Sequence, residues 1–256
     1  MTGNLLVVDW DYFFPSPDPG DDDWEYFDWA HRESTFFIEG VWPSRAQSFL
    51  ANGRQLPGLV DGPGWATPAG FWDRVDLEDG AHLIVVESNA RALLAGSGFD
   101  HVWLFDAHHD CGYTKGPDAA TALALRGSDP GAFWQCGDWM VPLHAAGADL
   151  HVRYPTWRTQ AMTIEPEPVV EVDRAFDDGT RPPVAFDTVV VCRSGAWVPP
   201  WHDQAFIGFV DAAPVDTIEV PEDAIDPMTP RPFDGDLARS LAEQTRELMA
   251  AMEERG

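Results

Sequence analysis

The sequence predicts an α/β fold: a mostly parallel sheet covered by helices on both faces, giving three layers, α/β/α. Two observations carry this expectation. Short apolar runs rich in valine, leucine and isoleucine alternate with stretches of helical spacing, and each run stops at a group of polar residues. Strands buried on both faces read as such unbroken runs, and in open parallel sheets the residues just past their carboxyl ends form the sites. At 256 residues the chain is long enough for a substantial core, and a single domain over residues 1–256 is expected.

Taken in order, Leu5-Leu6-Val7-Val8 is the first strand, and it runs into Asp9-Trp10-Asp11-Tyr12-Phe13-Phe14-Pro15. The Pro-, Gly- and Asp-rich residues from Ser16 to Asp23 predict a loop. From Trp24 to Phe71 aromatics abound without a clean period, and Gly and Pro punctuate Asn52 to Gly70. This predicts a large surface excursion that either shapes a substrate mouth or covers the core. A short helix over Phe71–Asp79 leads to the second strand, His82-Leu83-Ile84-Val85-Val86, which ends at Glu87-Ser88-Asn89; a helix starts over Ala90–Ala95. His101 to Phe105 is the third strand, Ala119 to Leu125 the next helix, and Asp149–Val152 and Thr188–Val191 are further strands. Between the last two, the acidic, proline-containing stretch from Arg158 to Asp187 predicts a loop over the sheet. Asp234 is placed to cap a C-terminal helix on which Leu237, Leu241, Leu248 and Met252 recur at helical spacing. That face predicts packing on the outside of the domain, with an oligomer contact as the alternative.

A formal net charge of −27, with 16 Lys and Arg against 43 Asp and Glu, argues against binding nucleic acid through its phosphates. The same acidity either serves plain solvation or steers a cationic substrate. No apolar run is long enough to span a membrane and the start carries no signal-like basic segment, so a cytoplasmic location away from membranes is expected. Cys111, Cys136 and Cys192 are odd in number and widely spaced, which fits buried thiols better than disulfides or a structural zinc.

The chemistry concentrates at strand ends. Asp106-Ala107-His108-His109-Asp110 closes the third strand and Asp9-Trp10-Asp11 the first; carboxylates two residues apart on an extended segment point to the same side. Hard carboxylate oxygens with an imidazole suit a divalent ion such as manganese or zinc. If these strands are neighbours, Asp9, Asp11, Asp106, His108 and Asp110 converge on one crevice beside Glu87-Ser88-Asn89, and so many carboxylates repel one another unless cations sit among them. Two divalent ions sharing bridging carboxylates would relieve that repulsion and acidify a water near neutral pH. The plainer alternative is a polar turn in an acidic protein.

Asp106-Ala107-His108-His109-Asp110 resembles the Asp-Ala-His-x-Asp signature of the arginase and agmatinase ureohydrolases, and Asp9-Trp10-Asp11 with Pro15 resembles their Asp-x-Asp signature with its following proline. The likeness is closer to an atypical branch that includes peptide arginases. Val85 to Asn89, Phe105 to Asp110, Asp138 to Pro142 and Cys192 to Pro200 resemble four of its segments in the same order. The chain departs from the pattern twice. The Asp-x-Asp strand opens this chain but follows the Asp-Ala-His segment in those relatives, as a circular permutation would have it. Asn89 stands where the family usually has His, which should weaken or remove one of two metal positions.

The resemblance implies an arginase- and deacetylase-like fold, two manganese ions with zinc as the alternative metal, and hydrolysis of a guanidino group. The implied substrate is an arginine-containing peptide, giving ornithine and urea, or a small guanidino compound. Carried over, the stronger metal position uses Asp9, Asp11, Asp106 and His108; the weaker uses Asp110 with bridging Asp106 and Asp9, and Asn89 in place of the missing His. Glu87 becomes the candidate for orienting a guanidinium, against an ordinary strand-end acid. His109, Asp138 and His144 are candidates for proton shuttles, against hydrogen-bonded structural side chains. Arg193, beside Ser194, either braces an aspartate of the metal shell or holds a substrate carbonyl. If Asn89 abolishes one position, a single ion on Asp9, Asp106 and His108 makes deacetylase-like amide hydrolysis the rival activity, and a non-catalytic peptide-binding relative is the other alternative.

Overall fold

The computed structural model describes residues 3–15, 35–113, 134–159, 162, 165–223 and 225–253. Strands β1 (Gly3–Asp9), β2 (Asp76–Val86), β3 (Phe99–Phe105), β4 (Asp149–Tyr154), β5 (Asp173–Phe176), β6 (Ala185–Cys192) and β7 (Thr217–Glu219) form one sheet. Its order is β5-β4-β3-β1-β6-β2-β7, and every neighbouring pair is parallel. The opening strand therefore stands in the middle. Leu5 to Val8 pair with Val102 to Phe105 on one side and with Thr188 to Val191 on the other. That placement sets the Asp-x-Asp end of β1 directly beside the Asp-Ala-His end of β3.

Side chains of a strand alternate between faces, and the two faces carry different helices. On one, Leu6, Val8, Leu83, Val85, Val189 and Val191 pack with Trp42 of α1 (Thr35–Ala51) and with Phe206, Phe209 and Val210 of a later helix. On the other, Leu5, Val7, Ile84, Val86, Leu104 and Val190 pack with Ala92 and with Met140 and Leu143 of α2 (Met140–Ala145). The later helix is α3 (Asp203–Asp211), and α4 (Gly235–Glu253) packs against α1, with Gln47 donating to Thr245 at 3.0 Å. Aromatic rings fill the first face around the turn after β1. Phe13 stands 5.7 Å from Phe71 and 5.3 Å from Phe209, and Trp10 stands 5.5 Å from Phe206. Each such ring contributes about 1.5–3 kcal/mol of burial, so the packing of its neighbours helps hold the turn bearing Asp9 and Asp11.

Several local expectations change. The helix expected over Phe71–Asp79 is a helical turn, Pro68–Phe71, with a 3-10 turn to Arg74, after which β2 begins at Asp76 because Asp76 and Leu77 pair with Ala185 and Phe186. Asn89–Ala95 is a 3-10 helix capped by Ser88, whose Oγ accepts from the Ala90 N–H. The aromatic region contains α1, whose apolar positions lack helical periodicity and include Pro43. The stretch from Arg158 to Asp187 contains β5 and the buried Glu165, so it is not simply a loop. Asp234 does cap the last helix, accepting from the N–H groups of Asp236 and Leu237. The leucine face of α4 is nevertheless exposed, Leu248 at 63% and Met252 at 66%, because Ala238 and Ala242 make the close contact instead. The expected loop at Ser16–Asp23 and helix at Ala119–Leu125 lie outside the described residues. Among the described residues no helix is long and apolar enough to cross a membrane.

Candidate metal centre

β1, β2 and β3 run parallel, so their carboxyl ends share one edge of the sheet; β6 separates β1 from β2. Asp9, Asn89, Asp106, His108 and Asp110 line one pocket at this edge, closed by Tyr113, Cys136, Gly137, Ser194 and Trp197. Two overlapping groups form at this edge. In the first, His108 Nδ1 stands 3.0 Å from Asp11 Oδ2 and 3.4 Å from Asp106 Oδ1, and the three side chains offer ligand atoms within 4.8 Å of one another. In the second, Asn89 Nδ2 donates to Asp9 Oδ2 at 2.7 Å, Asp106 Oδ2 at 2.9 Å and Asp110 Oδ2 at 2.9 Å. Asp106 belongs to both. Asp9, expected to bridge both, stands in the second alone.

The backbone holds these acids in place. Ala107 N–H donates to Asp11 Oδ1 at 3.1 Å, His108 N–H to Asp106 Oδ1 at 2.7 Å, and Asp11 N–H to Asp9 Oδ1 at 2.9 Å. Among the described residues, the non-glycine residues with positive φ, Asp110 at 50° and Ser194 at 55°, both line the pocket. Left-handed backbone at a residue with a Cβ costs free energy and persists where the surroundings impose it, commonly at sites.

The electrostatics are unbalanced. Burial pushes the carboxyls of Asp9, Asp106 and Asp110 well above the usual range, and the neighbouring aspartates add to it. Asp11 goes the other way: burial raises it too, but the charge and hydrogen bond of His108 and the Ala107 N–H outweigh burial and hold it low. Among the described residues no lysine or arginine pairs with any of the four. Closely spaced buried carboxylates of this kind are relieved by a bound cation. The donor set fits one: Asp11, Asp106 and His108 form a group that could hold a metal ion, though carboxylate with imidazole does not select a particular metal.

Other residues singled out from the sequence stand elsewhere. Glu87 does not face the pocket. Its Oε2 accepts from Arg193 Nε at 2.6 Å and its Oε1 from the Gly195 N–H at 3.1 Å, so its capacity for a guanidinium is taken by one inside the protein. A side chain at Gly195 would overlap that carboxylate, which explains the glycine. Arg193 is fully buried and also reaches the Thr229 carbonyl at 2.8 Å; it braces Glu87, not an aspartate of the metal group. Its neighbour Ser194 does brace an aspartate of the centre, its Oγ donating to Asp9 Oδ2 at 3.0 Å. His109 points away from the pocket: Nδ1 accepts from the Cys111 N–H at 2.9 Å, which leaves Nε2 to donate to the Pro166 carbonyl at 2.8 Å. Burial holds its pKa low. Asp138 accepts from the Gln135 N–H at 2.7 Å in a local turn, and His144 lies in the last turn of α2; neither lines the pocket. Residues 52–70 do not form its mouth either. The Pro57 carbonyl is held by Trp201 and His202 instead.

Two contributors escaped the sequence reading. Trp139 donates its Nε1–H to Asp110 Oδ2 at 2.7 Å. Tyr113 receives the His109 N–H at 3.1 Å and the Asp110 N–H at 3.3 Å on its hydroxyl oxygen and donates to buried Glu165 at 2.6 Å, tying the loop after β3 to a carboxylate far along the chain. Trp139 lies in the segment whose resemblance to a family motif drew attention to Asp138 instead; nothing local marks Glu165. Comparison with family models, curated proteins and solved structures returned no match.

Proposed function

We propose that this chain is a metal-dependent hydrolase acting on a guanidino group, with arginine inside a peptide as its substrate and ornithine and urea as products. The observation that carries the proposal is the charge imbalance at the ends of β1 and β3, where four buried aspartates meet one histidine and no basic side chain among the described residues. A divalent ion there supplies Lewis acidity and activates water. Asp11, Asp106 and His108 are the residues that would hold it. Ser194 and Trp139 fix Asp9 and Asp110 by hydrogen bonds, and those acids give a guanidinium its negative surroundings. Trp197, whose ring lies 4.7 Å from that of His108, adds an aromatic wall to the same pocket.

Support for the guanidino group comes from the Asp-Ala-His-x-Asp and Asp-x-Asp motifs and from the acidic, aromatic lining. Glu87 contributes none, since Arg193 occupies it. A second reading, hydrolysis of an amide by a single ion as in deacetylases, is favoured by the compact Asp11, Asp106 and His108 group and by Asn89. Incubation of the metal-loaded chain with an arginine-containing peptide and with an acetyl-lysine peptide separates the two by product. Urea with ornithine supports the first reading, acetate the second, and neither product from a chain that retains its metal and binds the peptide points to a non-catalytic binder.

A further inference from the structure

We infer that the side-chain amide of Asn89 plugs a second cation position, so that the centre takes a single divalent ion. The inference rests on the metal reading proposed above and deepens it. Three carboxylate oxygens from three different residues, Asp9, Asp106 and Asp110, converge on one point, which is the donor arrangement of a hard cation. That point is held by an amide nitrogen. Its separations of 2.7, 2.9 and 2.9 Å are those of N–H···O bonds, longer than the bonds of a small divalent ion to oxygen.

The other end of the amide shows what drives the arrangement. Asn89 is 2% exposed, and its Oδ1 is buried without a partner. An amide group has two hydrogens, so three acceptors already exceed its donors while its own acceptor goes unmet. Reversing the amide would aim Oδ1 at three carboxylate oxygens, all of them acceptors. The carboxylates' demand for positive potential therefore sets the orientation, and the orphaned oxygen is tolerated. A second ion would have to break every one of these charge-assisted bonds. It would also share Asp106 with the ion on His108 and stand close to that like charge without gaining an imidazole ligand.

The test strips the full chain with a chelator, reloads it with Mn2+, and counts bound manganese by elemental analysis alongside electron paramagnetic resonance. The unsubstituted chain is expected to hold one Mn2+ with the hyperfine pattern of an isolated ion. Asn89→His, which adds an imidazole, is expected to hold a second and to show exchange coupling between the two. Asn89→Ala, which removes the amide without adding bulk, is expected to take a second ion more weakly and covers the case in which Asn89→His does not fold. Two ions in the unsubstituted chain would overturn the plug and leave the hydrolase reading standing. A count fixed at one in both folded variants would equally overturn it, because the amide would then exclude nothing. No manganese in the unsubstituted chain would overturn the metal reading and the plug together.

Discussion

Glu87 and Asp203 are as deeply buried as Asp9, Asp11, Asp106 and Asp110, yet the two groups are balanced in different ways. Around Glu87 and Asp203 the balancing charges are side chains of the protein itself. Arg193 bonds Glu87, and Arg231 grips Asp203 with Nε at 2.9 Å and Nη2 at 2.6 Å while donating to the Val198 carbonyl at 2.8 Å. Burial pushes Glu87 up, with Arg193 and Arg231 acting against it. At the ends of β1 and β3, among the described residues, the side chains that bond the four aspartates are His108 and the neutral donors Asn89, Ser194 and Trp139. An acid closed by arginine is architecture, whereas acids left to one imidazole and a few dipoles have a use for a cation from solution.

Breaking the closed group should cost most. Arg193→Ala leaves buried Glu87 without its ion-pair partner, and urea unfolding should register a loss of about 3–5 kcal/mol that added divalent cation does not restore. The open group should respond to cation instead. At 100 times the dissociation constant an ion that binds only the folded chain adds about 2.7 kcal/mol, so a chelator should lower the unfolding free energy by that amount and the midpoint with it. His108→Ala should weaken cation binding by about 100-fold, as calorimetric titration would show, and cut the chelator effect at the same ion concentration to about 0.4 kcal/mol. A smaller effect is expected where a dipole holds an acid: Trp139→Phe keeps the ring and loses the donor to Asp110, at about 1–2 kcal/mol in the chelator-treated chain.

The smallest expected effect lies away from both groups. Burial lowers the pKa of His202, against the opposing pull of the Pro57 carbonyl and Asp203, so the fold prefers the neutral ring. A depressed pKa contributes stability that is present above the unfolded value of about 6.5 and is lost as pH falls through it toward the folded value. Thermal unfolding between pH 7.5 and 5.5, taken as a range of about one unit either side of that value, should therefore fall more for the unsubstituted chain than for His202→Gln. Equal falls would show that the ring does not report on this contact.

The layers and the strand ends were legible because β1, β2, β3 and β6 are apolar runs that stop at polar residues, a local pattern. α1 was not, since its aromatic and small residues show no single face and Pro43 interrupts them. β7 was missed for the opposite reason: its residues, Thr217-Ile218-Glu219, are all exposed at the sheet edge, and only pairing with β2 defines them. In the site, Asp9, Asp11, Asp106, His108, Asp110 and Asn89 come together as the motifs implied. Roles that depend on distant partners could not be read: Glu87 looks available until Arg193 is placed beside it, and Asn89 looks like a poor ligand until its nitrogen is seen among three carboxylates.

The most direct test of the account is elemental analysis of the purified chain after dialysis against Mn2+, side by side with Asp106→Asn, because Asp106 belongs to both groups of the centre. The account predicts bound manganese in the unsubstituted chain, none in the folded variant, and urea release from an arginine-containing peptide that follows the metal. A chain that binds no manganese, or a variant that binds as much, would contradict it.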